Sequence, residues 1–288
     1  MRSRYWGNTF LCNRYENNML VRIKNLLETL IGQFKKLYFC ELIITTRCNL
    51  LCPSCSNLMQ QLKDRAKDID CTSIIETIDN LMNNFEVVYN LQIQGGEPFL
   101  HPDLCAIVSH VLKYEGRIKN IWIMTNGMLM PTDELISILS GTKVTIASSH
   151  YACNEKLSSE IEVLLKKHNV NYRRRKFHYW HDFTLVEPYN RSFLNRKKLK
   201  SKLKKCPMGR ASSLKNNKLY LCSRLANMDE MIPNCRPSGI DLNGTKKAAT
   251  RFLHLAFCEN CAYCEYNTSA NLGTVVKCRK KFSTFLTS

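Results

Sequence analysis

The 288-residue chain contains no run of about 18 apolar residues, so it offers no helix able to span a bilayer. A secretion signal is lacking as well. Arg2, Arg4 and the stretch Asn13-Arg14-Tyr15-Glu16 break up the apolar middle that such a signal needs, and the expected compartment is the cytoplasm. Acidic residues are scarce, 24 against 42 lysines and arginines, which gives a formal charge of +18. That imbalance implies attraction to something anionic, such as a nucleic acid, a phosphorylated small molecule or an acidic protein. No dedicated RNA-binding module is present, and aromatic and basic residues interleave clearly only at Tyr172 to His181, so nucleic acid is the less favoured partner. The densest basic run, Arg191 to Lys205, reads most simply as a solvated helix face or linker.

Cysteine, by contrast, is abundant. Fifteen of them in a cytoplasmic chain argue for metal binding or redox chemistry rather than disulfides. Cys48, Cys52 and Cys55 form a C-x3-C-x2-C loop directly after an apolar run, and seven more crowd the last third: Cys206, Cys222, Cys235, Cys258, Cys261, Cys264 and Cys278. The scattered Cys12, Cys40, Cys71, Cys105 and Cys153 read as small buried hydrophobes. Three thiolates hold three irons of a 4Fe-4S cube and leave the fourth iron open to a ligand. A structural zinc site is the alternative, but it lacks an adjacent fourth ligand.

Residues 16–37 place Leu20, Ile23, Leu26, Leu27, Leu30, Ile31 and Phe34 at helical spacing, which predicts an amphipathic leader helix. Strands are expected at Phe39 to Thr45, Val87 to Ile93, Ile118 to Met124, Lys143 to Ala147 and Val170 to Arg174. Helices are expected between them at Ser73 to Phe85 (capped near Thr72 or Ser73), Asp103 to Lys113 (capped by Asp103), Asp133 to Ser140 and Glu155 to Lys167. This alternation predicts βα units around a parallel sheet or partial barrel, with the site at the C-terminal ends of the strands. Four motifs fall there: the cysteine loop, Gly95-Gly96-Glu97-Pro98, Thr125-Asn126-Gly127 and Ser148-Ser149-His150.

The cysteine loop after a first strand, followed by Gly95-Gly96-Glu97-Pro98 after a second, resembles the radical S-adenosylmethionine (radical SAM) superfamily across residues 38–190. The resemblance implies an α/β fold, a partial (β/α)6 TIM-like barrel. It also implies a 4Fe-4S cluster on Cys48, Cys52 and Cys55 that binds S-adenosylmethionine, reductive release of a 5′-deoxyadenosyl radical, and a flavodoxin- or ferredoxin-type electron donor. By position, Gly95, Gly96 and Glu97 resemble the cofactor-binding turn, the two glycines allowing close backbone approach. Asn126 and Ser148 or Ser149 resemble the ribose and carboxylate contacts, and Arg173 or Arg175 suits a forked bond to the carboxylate. One departure is Ser54, where the family usually places an aromatic residue against adenine.

The last third is similar to the auxiliary-cluster domains called twitch and, in longer form, SPASM. Lys218 to Cys222 reads as one strand of a hairpin turning at Asn216-Asn217, which brings Cys206 near Cys222, and a helix around Lys246 to Ala256 precedes Cys258. The resemblance implies a second 4Fe-4S cluster on Cys206, Cys222, Cys258 and Cys261, with Cys264 the strongest substitute and Cys235 or Cys278 behind it. A zinc ribbon is the alternative. The expected organisation is a leader region (1–37), a radical SAM core (38–190), a basic linker or helix (191–205) and a small α+β cluster domain (206–288). A closed second cluster suits acceptance of an electron from a substrate radical, hence oxidation of a small alcohol or sugar. A maturase acting on a peptide or protein, or on nucleic acid, is the competing expectation. His150 and Tyr151, with His178 and His181 of the Phe177 to Asp182 segment, are the candidate bases.

Overall fold

The structure is a computed structural model that describes residues 36–52, 55–176, 180–185, 206, 208, 211–231, 237–253, 255 and 259–272. The expected leader helix lies almost wholly outside them. Its last two positions are instead strand β1 (Lys36–Leu37), which pairs in parallel with β3 (Val87–Gly95). The basic run 191–205, Ser54, His178, Cys12, Cys235, Cys258 and Cys278 also lie outside the described residues.

Four βα crossovers follow from the alternating pattern. Strand β2 (Cys40–Thr45) leads through the one-turn helix α1 (Met59–Leu62) and helix α2 (Cys71–Asn84) to β3. Helix α3 (Leu104–Leu112) leads to β4 (Ile118–Thr125), α4 (Asp133–Leu139) to β5 (Thr145–His150), and α5 (Glu155–Lys167) to β6 (Asn171–Lys176). Strands β2 to β6 pair in parallel in chain order and leave β6 at an open edge, so the architecture is a partial TIM-like barrel. Leu91, Ile93, Ile121, Ile123 and Ile146 turn one face of this sheet toward Ile78, Leu81, Ile107, Val111, Leu139 and Ile161 of the helices, all fully buried. Each such side chain contributes on the order of 1.5–3 kcal/mol by leaving water. No helix among the described residues is long and apolar enough to cross a membrane.

Two caps differ from expectation. Asp70, not Thr72 or Ser73, caps α2, its carboxylate accepting from Ser73 N at 3.0 Å. Asp103 occupies the cap position of α3 without a side-chain bond; its own N–H donates to His101 Nδ1 at 3.1 Å, and His101 is buried against Ile69 O. The fourth crossover strand is also displaced, because Ser148, Ser149 and His150 pair with Arg174, Arg175 and Lys176 and so extend β5 rather than forming a loop.

The C-terminal third builds onto the same sheet. Strand β7 (Trp180–Leu185) pairs with β11 (Cys264–Leu272) as a separate ribbon. Strand β8 (Ser213–Lys215) lies parallel to β2, with Ser213 opposite Glu41, and turns back into β9 (Lys218–Tyr220), beside which runs β10 (Ile240–Asp241). Asn216 and Asn217 both take positive φ, 48° and 56°, as a two-residue hairpin turn requires. Helix α6 (Ser223–Met228) follows Cys222, and α7 (Lys246–Leu253) follows β10.

Candidate active site at the C-terminal strand ends

The cysteine loop leaves β2 under tight control. Thr46 N donates to Lys67 O at 2.9 Å, Thr45 Oγ1 donates to Asp68, and Arg47 pairs with Asp68 at 2.7 Å. Buried Leu50 and Leu58 pin the loop on either side, while Cys55 N donates to Cys52 O at 3.2 Å and Leu50 N to Cys48 Sγ at 3.5 Å. Burial pushes the Cys48 and Cys52 thiols up to about 12, with the neighbouring sulfurs adding to the effect, and burial raises Cys55 too. The free thiols therefore stay protonated, and iron is what would hold them as thiolates. Among the described residues no three Cys, His, Asp or Glu side chains converge on one metal ion. A cubane does not ask for that, since each thiolate binds its own iron.

The glycines let two backbone segments close on each other. A Cβ on Gly95 would stand 2.2 Å from Thr45 O, and one on Gly96 would stand 2.1 Å from Arg47 O and 2.9 Å from Cys48 Cβ. Their missing side chains let β3 close against the cysteine loop, where Gly96 N donates to Thr45 O and Glu97 N to Arg47 O. Glu97 likewise is a brace. Fully buried, its carboxylate accepts from Phe99 N at 3.1 Å, Thr125 Oγ1 at 2.8 Å and Asn126 N at 2.7 Å, tying the end of β3 to the end of β4. Burial outweighs these bonds and raises it to about 7.

Asn126 reaches the loop itself: its Nδ2 donates to Asn49 Oδ1 at 2.6 Å and lies 3.9 Å from Cys48 Sγ. Asn49 Nδ2 is buried without a partner, an orphaned donor beside the first cysteine. Of the two serines, Ser148 is fully buried with its Oγ packed under Gly127, which takes φ +72°, whereas Ser149 is half-buried and sits in register with Arg175. Of the two arginines, Arg173 is exposed and Arg175 half-buried beside Met124 Sδ at 3.8 Å. Burial and Arg173 push Arg175 down to about 10, so it remains a cation at neutral pH. Ser149 and Arg175 thus suit a ligand at this rim better than Ser148 and Arg173 do.

Tyr151 is buried, and its hydroxyl is raised by burial and then by the Cys52, Cys55 and Cys48 sulfurs, which places the ring at the cysteine loop. His150 ends β5 with Nε2 2.8 Å from Glu155 Oε2 and a buried Nδ1 without a partner. His181 lies in β7. Three half-buried cysteines, an orphaned amide donor and a half-buried arginine fit a cluster with an anionic amino-acid ligand, and the residues present suit that group.

A second thiol set forms beyond β8. Cys222 is raised by burial, then by Cys206 and Cys264, so those three lie together, while Cys261 is buried in the hydrophobic core. Cys264, the expected substitute ligand, is thus a neighbour of Cys222, while Cys258 lies outside the described residues. Spacing gave no hint of Glu41, a carboxylate in the middle of an apolar strand. Almost fully buried, it accepts from Ser213 Oγ at 2.7 Å, is bonded by Ser223 and Gln94, and is raised by burial to about 7. It shares its face with Gln92 and Gln94, opposite the helix-facing Leu91 and Ile93, and lies close enough to Cys222 to raise that thiol. The charge in an otherwise apolar run was the available signal. Of the scattered cysteines, Cys40 is buried as expected, whereas Cys71 and Cys105 are only half-buried and Cys153 is exposed and disulfide-bonded rather than a small buried hydrophobe.

The sequence profile of the Radical SAM superfamily matches residues 42–183. Over 92 residues the chain is 32% identical to the antilisterial bacteriocin subtilosin biosynthesis protein AlbA of Bacillus subtilis, a match covering 32% of this chain and 19% of that protein. Over 108 residues it is 32% identical to GTP 3′,8-cyclase of Limosilactobacillus fermentum, covering 36% of this chain and 31% of that enzyme. Both matches thus span less than a third of the relative's length. Among solved structures, BtrN in complex with AdoMet and 2-DOIA has the same fold, with a TM-score of 0.52 and 14% identity over 83% of this chain and 95% of that one.

Proposed function

Since the chain belongs to the radical SAM superfamily, with residues 42–183 as its core, we propose that it dehydrogenates a small alcohol- or sugar-type substrate, a second 4Fe-4S cluster taking the electron. When bound, the first cluster and S-adenosylmethionine together supply a 5′-deoxyadenosyl radical that abstracts a substrate hydrogen. Cys48, Cys52 and Cys55 hold that cluster. Arg175 offers its cation to the cofactor carboxylate, Asn49 Nδ2 offers a donor, and Tyr151 keeps water from the sulfurs. Glu97 acts at one remove by ordering Asn126 and the glycine turn. His150, whose Nε2 meets Glu155 and whose Nδ1 has no hydrogen-bond partner, is assigned as the proton acceptor. Cys206, Cys222 and Cys264 hold the second cluster, with Cys258 or Cys261 as the fourth ligand.

What supports this reading is that Glu41, on the inner face of the sheet, is hydrogen-bonded by Ser223, the residue after Cys222. A second cluster held at Cys222 would stand beside the polar inner face of the barrel, where an acceptor for a substrate electron is needed. The acid-poor chain suits an acidic flavodoxin- or ferredoxin-type donor. The test is anaerobic reconstitution, reduction with dithionite, and incubation with S-adenosylmethionine and a panel of polyols and amino sugars. The expected result is 5′-deoxyadenosine formed with a carbonyl product, abolished in Cys55→Ala while iron at the second site persists. The match to a bacteriocin biosynthesis protein favours a second reading, a maturase that modifies a peptide. Product from a peptide panel, with none from any alcohol, would replace the first reading with the second.

A further inference from the structure

Helix α6 begins immediately after Cys222, yet its buried polar side chains reach across to the loop that follows Cys55. Ser223 Oγ donates to Asn57 Oδ1 at 2.8 Å, and Asn227 Nδ2 donates to Asn57 O at 2.8 Å. Between them Arg224, 1% exposed, donates from its guanidinium to Ser56 O at 3.1 Å and to Cys55 O at 3.4 Å. The helix is anchored from behind, where the buried Lys215 ammonium donates to Asn227 Oδ1 at 2.8 Å and pairs with Glu230 at 2.9 Å.

These contacts do more than hold a loop. Packing alone would be served by an apolar side chain, whereas a buried guanidinium bonded to the Cys55 and Ser56 carbonyls sets a fixed positive charge beside a cluster ligand. The charge that chemistry brings here is the cluster on Cys48, Cys52 and Cys55. We propose that Arg224 is a positioning residue that sets the reduction potential of that cluster, supplied from the segment that carries Cys222. Its two carbonyl bonds fix the cation against the backbone of Cys55. An added electron on the cluster is stabilised by the same charge.

The inference rests on the cluster assigned above, and the experiment separates the two. Wild type, Arg224→Gln and Arg224→Lys are reconstituted anaerobically. The reduction midpoint of the EPR signal that responds to S-adenosylmethionine is then measured by redox titration. Removing the cation in Arg224→Gln is expected to lower the reduction equilibrium constant at least tenfold, which is 59 mV for a one-electron couple. Arg224→Lys, which keeps the charge, is expected to stay within twofold of wild type. An unchanged midpoint in Arg224→Gln overturns the inference and leaves the proposed function standing. Absence of any such signal in wild type overturns the cluster assignment itself, and the inference with it. If Arg224→Gln fails to assemble the cluster, Arg224→Lys decides: a wild-type midpoint supports the proposal, and a tenfold fall overturns it. Loss of the cluster in both variants would assign Arg224 to assembly and overturn the proposal.

Discussion

Gly96→Ala tests whether the glycine turn serves the cysteine loop rather than a ligand. The new Cβ would stand 2.1 Å from Arg47 O, 2.6 Å from Arg47 C and 2.9 Å from Cys48 Cβ. Arg47 O cannot simply step aside, because it accepts Glu97 N at 2.8 Å. Relief of the clash requires a retreat of about 1 Å, and overpacking of that kind costs about 1–3 kcal/mol. Against a total stability of about 5–15 kcal/mol the fold survives, with the melting temperature falling by about 2–4 °C for each kcal/mol lost. The displacement falls on the residue before the first cluster ligand, and a 1 Å misplacement is enough for a rate loss of about 100-fold. Far-UV circular dichroism, iron content and 5′-deoxyadenosine formation should show a folded protein with that loss. Gly116→Ala is the control, since a Cβ there meets nothing within 4 Å. A Gly96→Ala protein that cleaves S-adenosylmethionine within about twofold of wild type would refute the steric argument.

Further expectations concern charge, capping and the second thiol set. Glu41 is raised by burial from the ordinary 4.5 to about 7, so the native state keeps a proton that the unfolded chain releases between those values. Stability therefore falls as pH rises through that window. At about 1.36 kcal/mol per pH unit, Glu41→Gln should gain about 2–3 kcal/mol relative to wild type between pH 5 and pH 8; parallel urea curves at the two pH values would contradict it. Asp70→Ala removes the α2 cap bond to Ser73 N and should cost about 0.5–2 kcal/mol in urea unfolding, whereas Thr72→Ala should cost little. Cys264→Ala should lower iron from about eight to about four atoms per chain while 5′-deoxyadenosine formation persists; unchanged iron would remove Cys264 from the ligand set.

Much of the barrel was legible because its elements declare themselves locally. Helix α5 runs from Glu155 to Lys167 as its apolar spacing predicts, and the remaining crossover helices differ from expectation by a few residues at their ends. The misreadings come where a distant partner decides. Ser148 to His150 look like loop until Arg174 to Lys176 pair with them. Asp70 outcompetes Thr72 and Ser73 as the cap because its carboxylate reaches Ser73 N from outside the helix. The site was legible as a set of motifs and not as a set of roles. Gly95, Gly96 and Glu97 were rightly placed at the strand ends, but their contacts are with Thr45, Arg47 and Asn126, which no local pattern could name.

The pairing of β8 with β2 carries the largest consequence of this kind. Glu41 and Ser213 lie opposite each other across a sequence gap that no periodicity spans. Strand β2 runs into the Cys48 loop, and β8 turns through β9 into Cys222. The Cys48 loop and Cys222 therefore hang from neighbouring strands of one sheet, while Cys264 opens the separate β7–β11 ribbon, and Ser223, Arg224 and Asn227 close the circuit on the side of Asn57. A linker between separately folded bodies would let the spacing of two clusters fluctuate. Here the spacing of the Cys48 loop and Cys222 is set by backbone hydrogen bonds within a sheet, and the buried side chains of Glu41 and Arg224 lie in the seam. Substitutions in β8 or α6 are thus expected to disturb both sites together, whereas substitutions in the open edge strand β6 act on the first site alone.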